Sequence, residues 1–186
     1  MKKLLPAALL ALCIGGCDSS GDNWMPLEAK NHWTYTVSAG MVSAVRSVEV
    51  NGVEPCGSIE GFRLHGAMGD SVMAWDGNKL IASRLAGTAF RPPLPILLSQ
   101  PGEAQWSGEM SLPGKTWEAK AKLEVKASKE DVGGRKLEVL VAKLTVTGPD
   151  SPVITETIFV RNVGIYRQEE RVANRLTRKI LYISGP

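Results

Sequence analysis

A few side chains in this sequence have the types that catalysis requires. Ser71 follows Gly69-Asp70, and His65 lies a short distance before the serine. A serine can act as a nucleophile when a neighbouring base takes its proton. A Gly-Asp pair, however, is also an ordinary turn in front of a strand, so the motif needs a supporting structural context.

Gly69-Asp70-Ser71 resembles the opening motif of GDSL-type esterases. In that family the serine follows a parallel strand of an α/β fold and works with a downstream Asp-x-x-His pair. In this chain the surrounding pattern is antiparallel, and His65 precedes the serine. We therefore expect Ser71 to have a structural role and the protein not to be an enzyme.

The other polar residues give neither a metal-binding pattern nor an acid–base pattern. His32 and His65 occur without an HxH, HExxH or CxxC motif, so no metal or other cofactor is expected. Glu169 and Glu170 are adjacent, and adjacent strand residues point to opposite faces of a sheet. We expect both to be solvated charges. Their expected partners across a hairpin are Arg167, Arg171 or Lys179.

The N-terminus predicts one covalent modification. Lys2-Lys3 precedes an apolar run that ends at Ile14, as in an export signal, and the run is too short to span a membrane. The next residues, Ile14-Gly15-Gly16-Cys17, resemble a bacterial lipobox. This resemblance implies that the chain is cleaved before Cys17 and that Cys17 is acylated, with palmitate among the acyl groups. Residues 1–16 are therefore predicted to be a signal peptide. The mature protein is predicted to be lipid-anchored to the cell membrane on its extracytoplasmic side, facing the periplasm in a Gram-negative cell.

The charge and the cysteine content limit which binding partners and which thiol chemistry this protein can have. Loss of the signal leaves 20 of the 22 basic residues against 19 acidic ones, so the mature net charge is +1. A nucleic-acid-binding protein normally has a clear excess of basic residues. This chain lacks such an excess, so we do not expect it to bind nucleic acid. Cys13 leaves with the signal and Cys17 carries lipid. Cys56 is then the remaining thiol, predicted to be a small buried residue of a turn.

The mature chain is predicted to consist of a tether and one domain. Residues 17–30 are the lipidated cysteine and a flexible tether, because residues 18–23 are polar and rich in Gly and Ser. The folded domain is expected to begin between Trp24 and Asn31, and residues 31–186 form its body. This length can bury a substantial core.

Two-residue alternation dominates the domain. The clearest case is the segment 116–128, in which apolar residues alternate with charged ones over more than ten positions. Such a period places one set on a dry face and the other on a wet face of a strand. The apolar set is Trp117, Ala119, Ala121, Leu123, Val125 and Ala127.

Turn residues divide the domain into about nine or ten strands. The count and the short connections predict an all-β fold, either a single curved antiparallel sheet or an open half-barrel. Residues 90–98 contain three prolines and are predicted to be an extended crossover rather than a central strand. Residues 169–179 could instead form a short helix. The predicted turns are Asn51-Gly52, Asp76-Gly77, Arg161-Asn162, Ala173-Asn174 and residues 112–115, 132–135 and 148–152.

Five aromatic residues could indicate a binding site. If they converge on the concave side of the sheet, they line a cleft for a lipid chain or an apolar peptide. Equally, they fill the core, because aromatic side chains bury large areas. These residues are Trp33, Tyr35, Trp75, Trp106 and Trp117.

Three stretches resemble those of a group of bacterial lipoproteins of unknown function, the DUF3108-like or TapB-type family. They are residues 92–98 followed by Gly102 and Trp106, residues 159–170, and the Trp33-Thr34-Tyr35 motif. The resemblance implies an antiparallel β fold akin to periplasmic lipoprotein carriers. It brings no catalytic residues.

Two functional hypotheses remain. The first is a non-catalytic, lipid-anchored lipoprotein of the cell envelope whose β domain binds another envelope protein or serves envelope assembly. The second is a carrier or sensor that holds a lipid or another apolar ligand. A large apolar cavity favours the second hypothesis, whereas a filled core with an exposed apolar patch favours the first.

Overall fold

The computed structural model of the protein describes residues 24–66 and 69–186. Its elements are strands, which follow one another along the chain. They are β1 (His32–Ala39), β2 (Val42–Cys56), β3 (Ile59–Gly66), β4 (Ser71–Asp76), β5 (Lys79–Leu85), β6 (Thr88–Leu98), β7 (Gly102–Leu112), β8 (Lys115–Val132), β9 (Arg135–Thr147), β10 (Val153–Val160), β11 (Gly164–Val172) and β12 (Arg175–Ser184).

The twelve strands of the described residues close into one antiparallel barrel. Each strand pairs with the next one along the chain, and β1 pairs with β12 from Thr34 opposite Ser184 to Ser38 opposite Lys179. This pairing removes the two free edges that an open sheet would leave unpaired. The all-β antiparallel prediction is confirmed, but the prediction of an open sheet or half-barrel of nine or ten strands is wrong.

One predicted turn is also wrong. Asn51-Gly52 lies inside β2, where the pairing with β3 shifts register between Val50 and Gly52. The hairpin turn comes later, at Gly57-Ser58, and Gly57 has a positive φ of 66°. The Asn-Gly pair therefore forms a bulge, which the same residue types also favour. The other predicted turns all fall between consecutive strands, and residues 169–179 form a strand hairpin rather than a helix.

The alternation in β8 places its apolar residues inside the barrel. Ala119, Leu123 and Val125 are buried, and the intervening lysines are exposed. Ala127, which the pattern also assigned to the dry face, is exposed. It lies beyond the pairing of Val125 with Gly102, the first residue of β7, so no neighbouring strand covers it on that side.

The proline-rich segment is part of strand β6, which corrects the prediction of a crossover. Its prolines nevertheless limit pairing, because proline has no backbone N–H to donate. β6 pairs with β7 over three residues, from Ala89 to Arg91, and the pairing stops at Pro92. Trp106 of β7 then donates its indole N–H to the Pro92 carbonyl at 2.9 Å.

Residues before β1 close one end of the barrel. Trp24, Met25 and Leu27 are buried, and they lie in the stretch in which the sequence predicts the start of the domain. The Met25 carbonyl accepts the indole N–H of Trp75 at 3.1 Å, and the Arg161 guanidinium lies 4.3 Å from the Trp24 ring centre. The folded body therefore includes Trp24, Met25 and Leu27, because their apolar side chains enter its core. We call this end of the barrel the floor.

Cys56 lies outside the barrel interior, beneath the end of the β2–β3 hairpin. Its side chain is fully buried with Val72 and Ala74 on the outer face of β4. Arg84 holds the hairpin with a 2.8 Å contact to Glu54. The prediction of a small buried cysteine agrees with this position. In the described ranges, no helix is long and apolar enough to cross a membrane.

Candidate ligand-binding cavity

The barrel encloses a cavity of about 480 Å³. Met25 and Trp33 line it at the floor, and Leu112, Val153 and Val172 line it at the opposite end of the strands. Leu112 is 43% exposed, so the cavity opens to solvent at this end, which we call the mouth. Small-molecule sites in proteins commonly have volumes of about 300–1,000 Å³, and this cavity lies within that range.

Most of the cavity wall is apolar, because the inward positions of the alternating strands carry apolar side chains. β3 to β6 contribute Leu64, Met73, Leu94 and Ile96. The facing wall includes Leu144 of β9. A wall of this kind favours an apolar chain over water, since each buried methylene contributes about 0.8 kcal/mol.

Three neighbouring strands interrupt this apolar wall with polar side chains. The Glu170 carboxylate accepts a hydrogen bond from Arg178 Nη2 at 2.6 Å and from the Thr177 hydroxyl at 3.0 Å. The Gln168 amide donates to the Thr157 hydroxyl at 3.1 Å. We call the cavity-lining members of this group the polar strip: Thr155, Thr157, Gln168, Glu170 and Arg178.

Burial shapes the protonation of the one tyrosine on the wall. Tyr35 is almost fully buried, and burial, with the nearby Tyr182, raises the pKa of its hydroxyl far above the ordinary value. Burial also raises the pKa of Tyr182, whose ring lies 6.3 Å from that of Tyr35 in an edge arrangement. Tyr35 therefore stays neutral at physiological pH.

The five aromatic residues considered for a cleft or for the core occupy different places in the structure. Trp33 and Tyr35 line the cavity, whereas Trp75, Trp106 and Trp117 do not. Trp75 is held by the Met25 carbonyl next to the floor. Trp106 packs edge-on against Phe90, with ring centres 5.9 Å apart.

Trp117 packs against the main core, and its indole N–H is buried without a hydrogen-bond partner among the described residues. Trp106 and Trp117 belong to β7 and β8 and fill the barrel interior on that side. The free volume is thereby displaced towards β1 and the strands that carry the polar strip. Two of the five aromatic residues therefore line the cavity, and the other three pack in or against the core.

The esterase-like motif does not form a nucleophile–base pair. Ser71 is directly opposite Leu64 and lines the cavity near its mouth, where its hydroxyl accepts the Ala86 N–H at 3.0 Å. His65 follows Leu64 and so points to the outer face. There its Nδ1 lies 2.6 Å from the Asp70 carboxylate, which lowers the pKa of that carboxyl by a hydrogen bond.

The glutamate pair corrects one sequence prediction. Glu169 contacts Arg171 and Lys179 on the outer face, as expected, although its side chain is only 22% exposed. Glu170 instead faces the cavity and pairs with Arg178, a partner that the sequence did not indicate. In residues 24–66 and 69–186, no three His, Cys, Asp or Glu side chains come together as metal ligands.

The polar strip is the feature that sequence reasoning missed. Its signal was present: polar residues occupy inward positions of β10 to β12, where the alternation would otherwise place apolar ones. A bulge between Ile158 and Phe159 and another between Glu170 and Arg171 shift the pairing of β11. These bulges conceal which face each residue occupies.

Comparisons with known proteins identify the fold but not the family. No family model matches the sequence, and no curated protein sequence matches it significantly. A candidate lipoprotein from Parabacteroides distasonis has a similar structure, with a TM-score of 0.57 and 12% identity over 88% of this chain and 98% of that chain. This similarity shows that a protein described as a lipoprotein has the same fold.

Two further structures align less well. One is a candidate exported protein with a YmcC-like fold from Bacteroides fragilis, with a TM-score of 0.43 and 7% identity over 86% of this chain and 96% of that one. The other is the hypothetical lipoprotein YmcC from Escherichia coli, with a TM-score of 0.42 and 9% identity over 84% and 88%. The resemblance to DUF3108-like lipoproteins is not confirmed by any family match.

Proposed function

We propose that this protein is a non-catalytic, lipid-anchored binding protein of the cell envelope that holds an apolar or amphipathic small molecule inside its barrel, as a carrier or a sensor. The observation that carries the proposal is the cavity of about 480 Å³ between an apolar floor and an open mouth. This is the alternative that a large apolar cavity favours.

Packing energetics support an occupant. Protein interiors are normally close-packed, and an apolar void of this size leaves its lining without contacts on one side. The wall is already rigid, since every strand of the barrel is paired on both sides. A ligand would therefore gain burial without having to order the wall first.

The position of the N-terminal segment supports an orientation. The described chain begins at Trp24, in the floor of the barrel, and the mouth lies at the other end of the strands. A lipid on Cys17 would tether the floor end to the membrane. The mouth would then be free to receive a ligand from the aqueous phase, a partner protein or another membrane.

Binding of an envelope protein is the second candidate function, and one outer surface favours it. Thr36 of β1 pairs with Val45 on one side and Leu181 on the other, so these residues form a row on the outer wall. Val45 is 61% exposed and Leu181 is 38% exposed. Crosslinking from Val45 in intact cells tests whether a protein covers this row.

The experiment that tests the binding function uses residues 18–186, produced without the acceptor cysteine so that no detergent is needed. This piece contains every strand of the barrel and its floor. Native mass spectrometry followed by lipid extraction is expected to find one bound apolar molecule per chain. Saturable binding of the uncharged dye N-phenylnaphthylamine provides a second readout.

Two variants of neighbouring residues decide where the molecule binds. Ala142 is buried and lines the cavity, so Ala142→Phe is expected to reduce dye affinity roughly tenfold or more by filling the site. Lys143 is exposed on the outer face of the same strand, so Lys143→Phe is the matched control. Equal binding by both variants would contradict the proposal.

A further inference from the structure

The polar strip lies across one wall of the cavity between two apolar levels. Its members face one another across the strands: Thr157 is opposite Gln168, while Thr155 and Arg178 flank Glu170 on either side. Phe159 and Ile165 lie closer to the floor, and Val153 and Val172 lie at the mouth. If a ligand chain reaches the floor, the part of the ligand nearer the mouth would therefore lie beside the polar strip.

The strip carries charge, but its two charges neutralise each other. Glu170 and Arg178 are both about one-quarter exposed, and their oxygen and nitrogen atoms are 2.6 Å apart. Among the residues that line the cavity, Tyr35 is the other titratable group, and it is neutral at physiological pH. The described wall therefore offers no net charge to a ligand.

The strip also has hydrogen-bonding capacity to spare. A guanidinium has five N–H donors, and not all of those of Arg178 are used. Its Nε is buried and has no acceptor among the described residues. Thr155, Thr157 and Gln168 offer hydroxyl and amide groups that both donate and accept. A ligand with hydroxyl, ester or amide groups can satisfy these groups without changing the charge.

We infer that the ligand is an uncharged single-chain amphiphile whose hydrogen-bonding headgroup lies against the polar strip and whose chain extends to the apolar floor. The inference rests on the proposed function and deepens it. A charged headgroup would lack a counter-charge, because Glu170 already neutralises Arg178, and an unpaired charge in a poorly solvated site is strongly unfavourable. The volume of about 480 Å³ suits one chain better than a two-chain phospholipid.

The test is displacement of N-phenylnaphthylamine from residues 18–186 by two compounds of equal chain length. One is a monoacylglycerol, which is uncharged, and the other is the corresponding fatty acid, which is an anion at mildly alkaline pH. Below their aggregation concentrations, the monoacylglycerol is expected to bind roughly tenfold or more tightly than the fatty acid.

Glu170→Gln tests whether the strip sets this preference. The substitution removes one charge but keeps a carbonyl acceptor for the Thr177 hydroxyl. Arg178 is then free to pair with an anion, so fatty-acid affinity is expected to rise roughly tenfold, with monoacylglycerol affinity nearly unchanged. Glu169→Gln is the matched control, because Glu169 lies on the outer face, and it is expected to leave both affinities unchanged.

The outcomes separate the headgroup assignment from the proposed function. Equal or tighter binding of the fatty acid by the unmodified protein would overturn the assignment but leave a binding cavity. An unchanged preference in Glu170→Gln, with normal folding by circular dichroism, would also overturn it. Absence of any saturable dye or lipid binding would overturn both the assignment and the proposed function.

Discussion

Glu169 and Glu170 are consecutive residues of β11 whose carboxylates lie on opposite sides of the barrel wall. The outer carboxylate contacts Arg171 at 2.8 Å and Lys179 at 3.6 Å. The inner one contacts Arg178 at 2.6 Å beside the cavity. The chain thus places two carboxylates of similar exposure on opposite faces of the wall, one beside outer cations and one beside the cavity.

The two sides are expected to differ in their effect on stability. Arg178→Met leaves the half-buried Glu170 without its partner and is expected to lower the free energy of unfolding by about 1–3 kcal/mol. Lys179→Met removes the more distant partner of Glu169 but leaves its 2.8 Å contact with Arg171, so it is expected to cost less than about 1 kcal/mol. Urea unfolding of both variants measures the difference. Equal losses would show that Glu170 depends on Arg178 no more than Glu169 depends on Lys179.

The contribution of the floor to stability can be tested by replacing a buried methionine and an exposed one with alanine. Met25 is 1% exposed and lines the cavity, so Met25→Ala is expected to lower the free energy of unfolding by about 2–5 kcal/mol. Met41 is fully exposed, and Met41→Ala is expected to have little effect. Thermal and denaturant unfolding measure both.

The same change also deepens the cavity. Met25→Ala is therefore expected to shift the preferred monoacylglycerol to a longer chain, measured by dye displacement. A stable variant with an unchanged chain-length preference would argue that the ligand chain does not reach the floor.

Cys56 is expected to resist alkylation in the folded protein. Burial raises the pKa of its thiol, so the reactive thiolate is scarce and the sulfur is inaccessible. Iodoacetamide labelling followed by mass spectrometry is expected to be slow without urea and fast with it. Rapid labelling of the native protein would mean that the β2–β3 hairpin opens readily.

The raised pKa of Cys56 also predicts a pH dependence of stability. The unfolded thiol ionises above about pH 8.5, while the folded thiol is still neutral. Stability from this group is therefore fully present below that pH and decreases as the pH rises towards the folded pKa. Cys56→Ala is expected to flatten the alkaline part of the curve of unfolding free energy against pH. An equally steep decline in the variant would assign the effect to other groups.

Gly108 is predicted to tolerate no side chain. A Cβ there would overlap the Arg91 carbonyl oxygen and approach Pro92 Cδ to 2.8 Å, so Gly108→Ala is expected to cost about 1–3 kcal/mol or more. Gly52→Ala is the control, because a Cβ there meets only the end of Arg63, at 3.9 Å. Chemical denaturation compares the two. Similar stabilities would indicate that β6 and β7 can separate without penalty.

The lipid anchor is tested outside the described residues. Cys17→Ala removes the predicted acylation site, so the variant is expected to remain an unprocessed precursor or to appear in the soluble fraction. Fractionation, metabolic labelling with palmitate and the mass of the mature chain measure this. A variant that is still processed and still bound to membranes would contradict anchoring through Cys17.

Local sequence pattern predicted the strands well, because each depends on residues close together in the chain. The alternation from Trp117 to Val125 required a strand with one buried face. The Gly-Gly pair before Arg135 predicted the β8–β9 turn, and the structure confirms it. The Asn51-Gly52 pair was wrongly predicted to be a hairpin turn. The same residue types suit a turn and a bulge, and only the pairing with β3 distinguishes the two.

The sequence by itself determined the all-β fold, most of its turns and the small net charge, since period, turn residues and composition can be read from the chain directly. The tertiary structure alone decided that the barrel is closed, because β1 and β12 meet across the whole length of the domain. It also decided that Trp24 and Met25 seal the floor and that Glu170 faces inward. These features depend on which distant residues pack together and on the volume left between them, and neither quantity can be calculated from the spacing of residues along the chain.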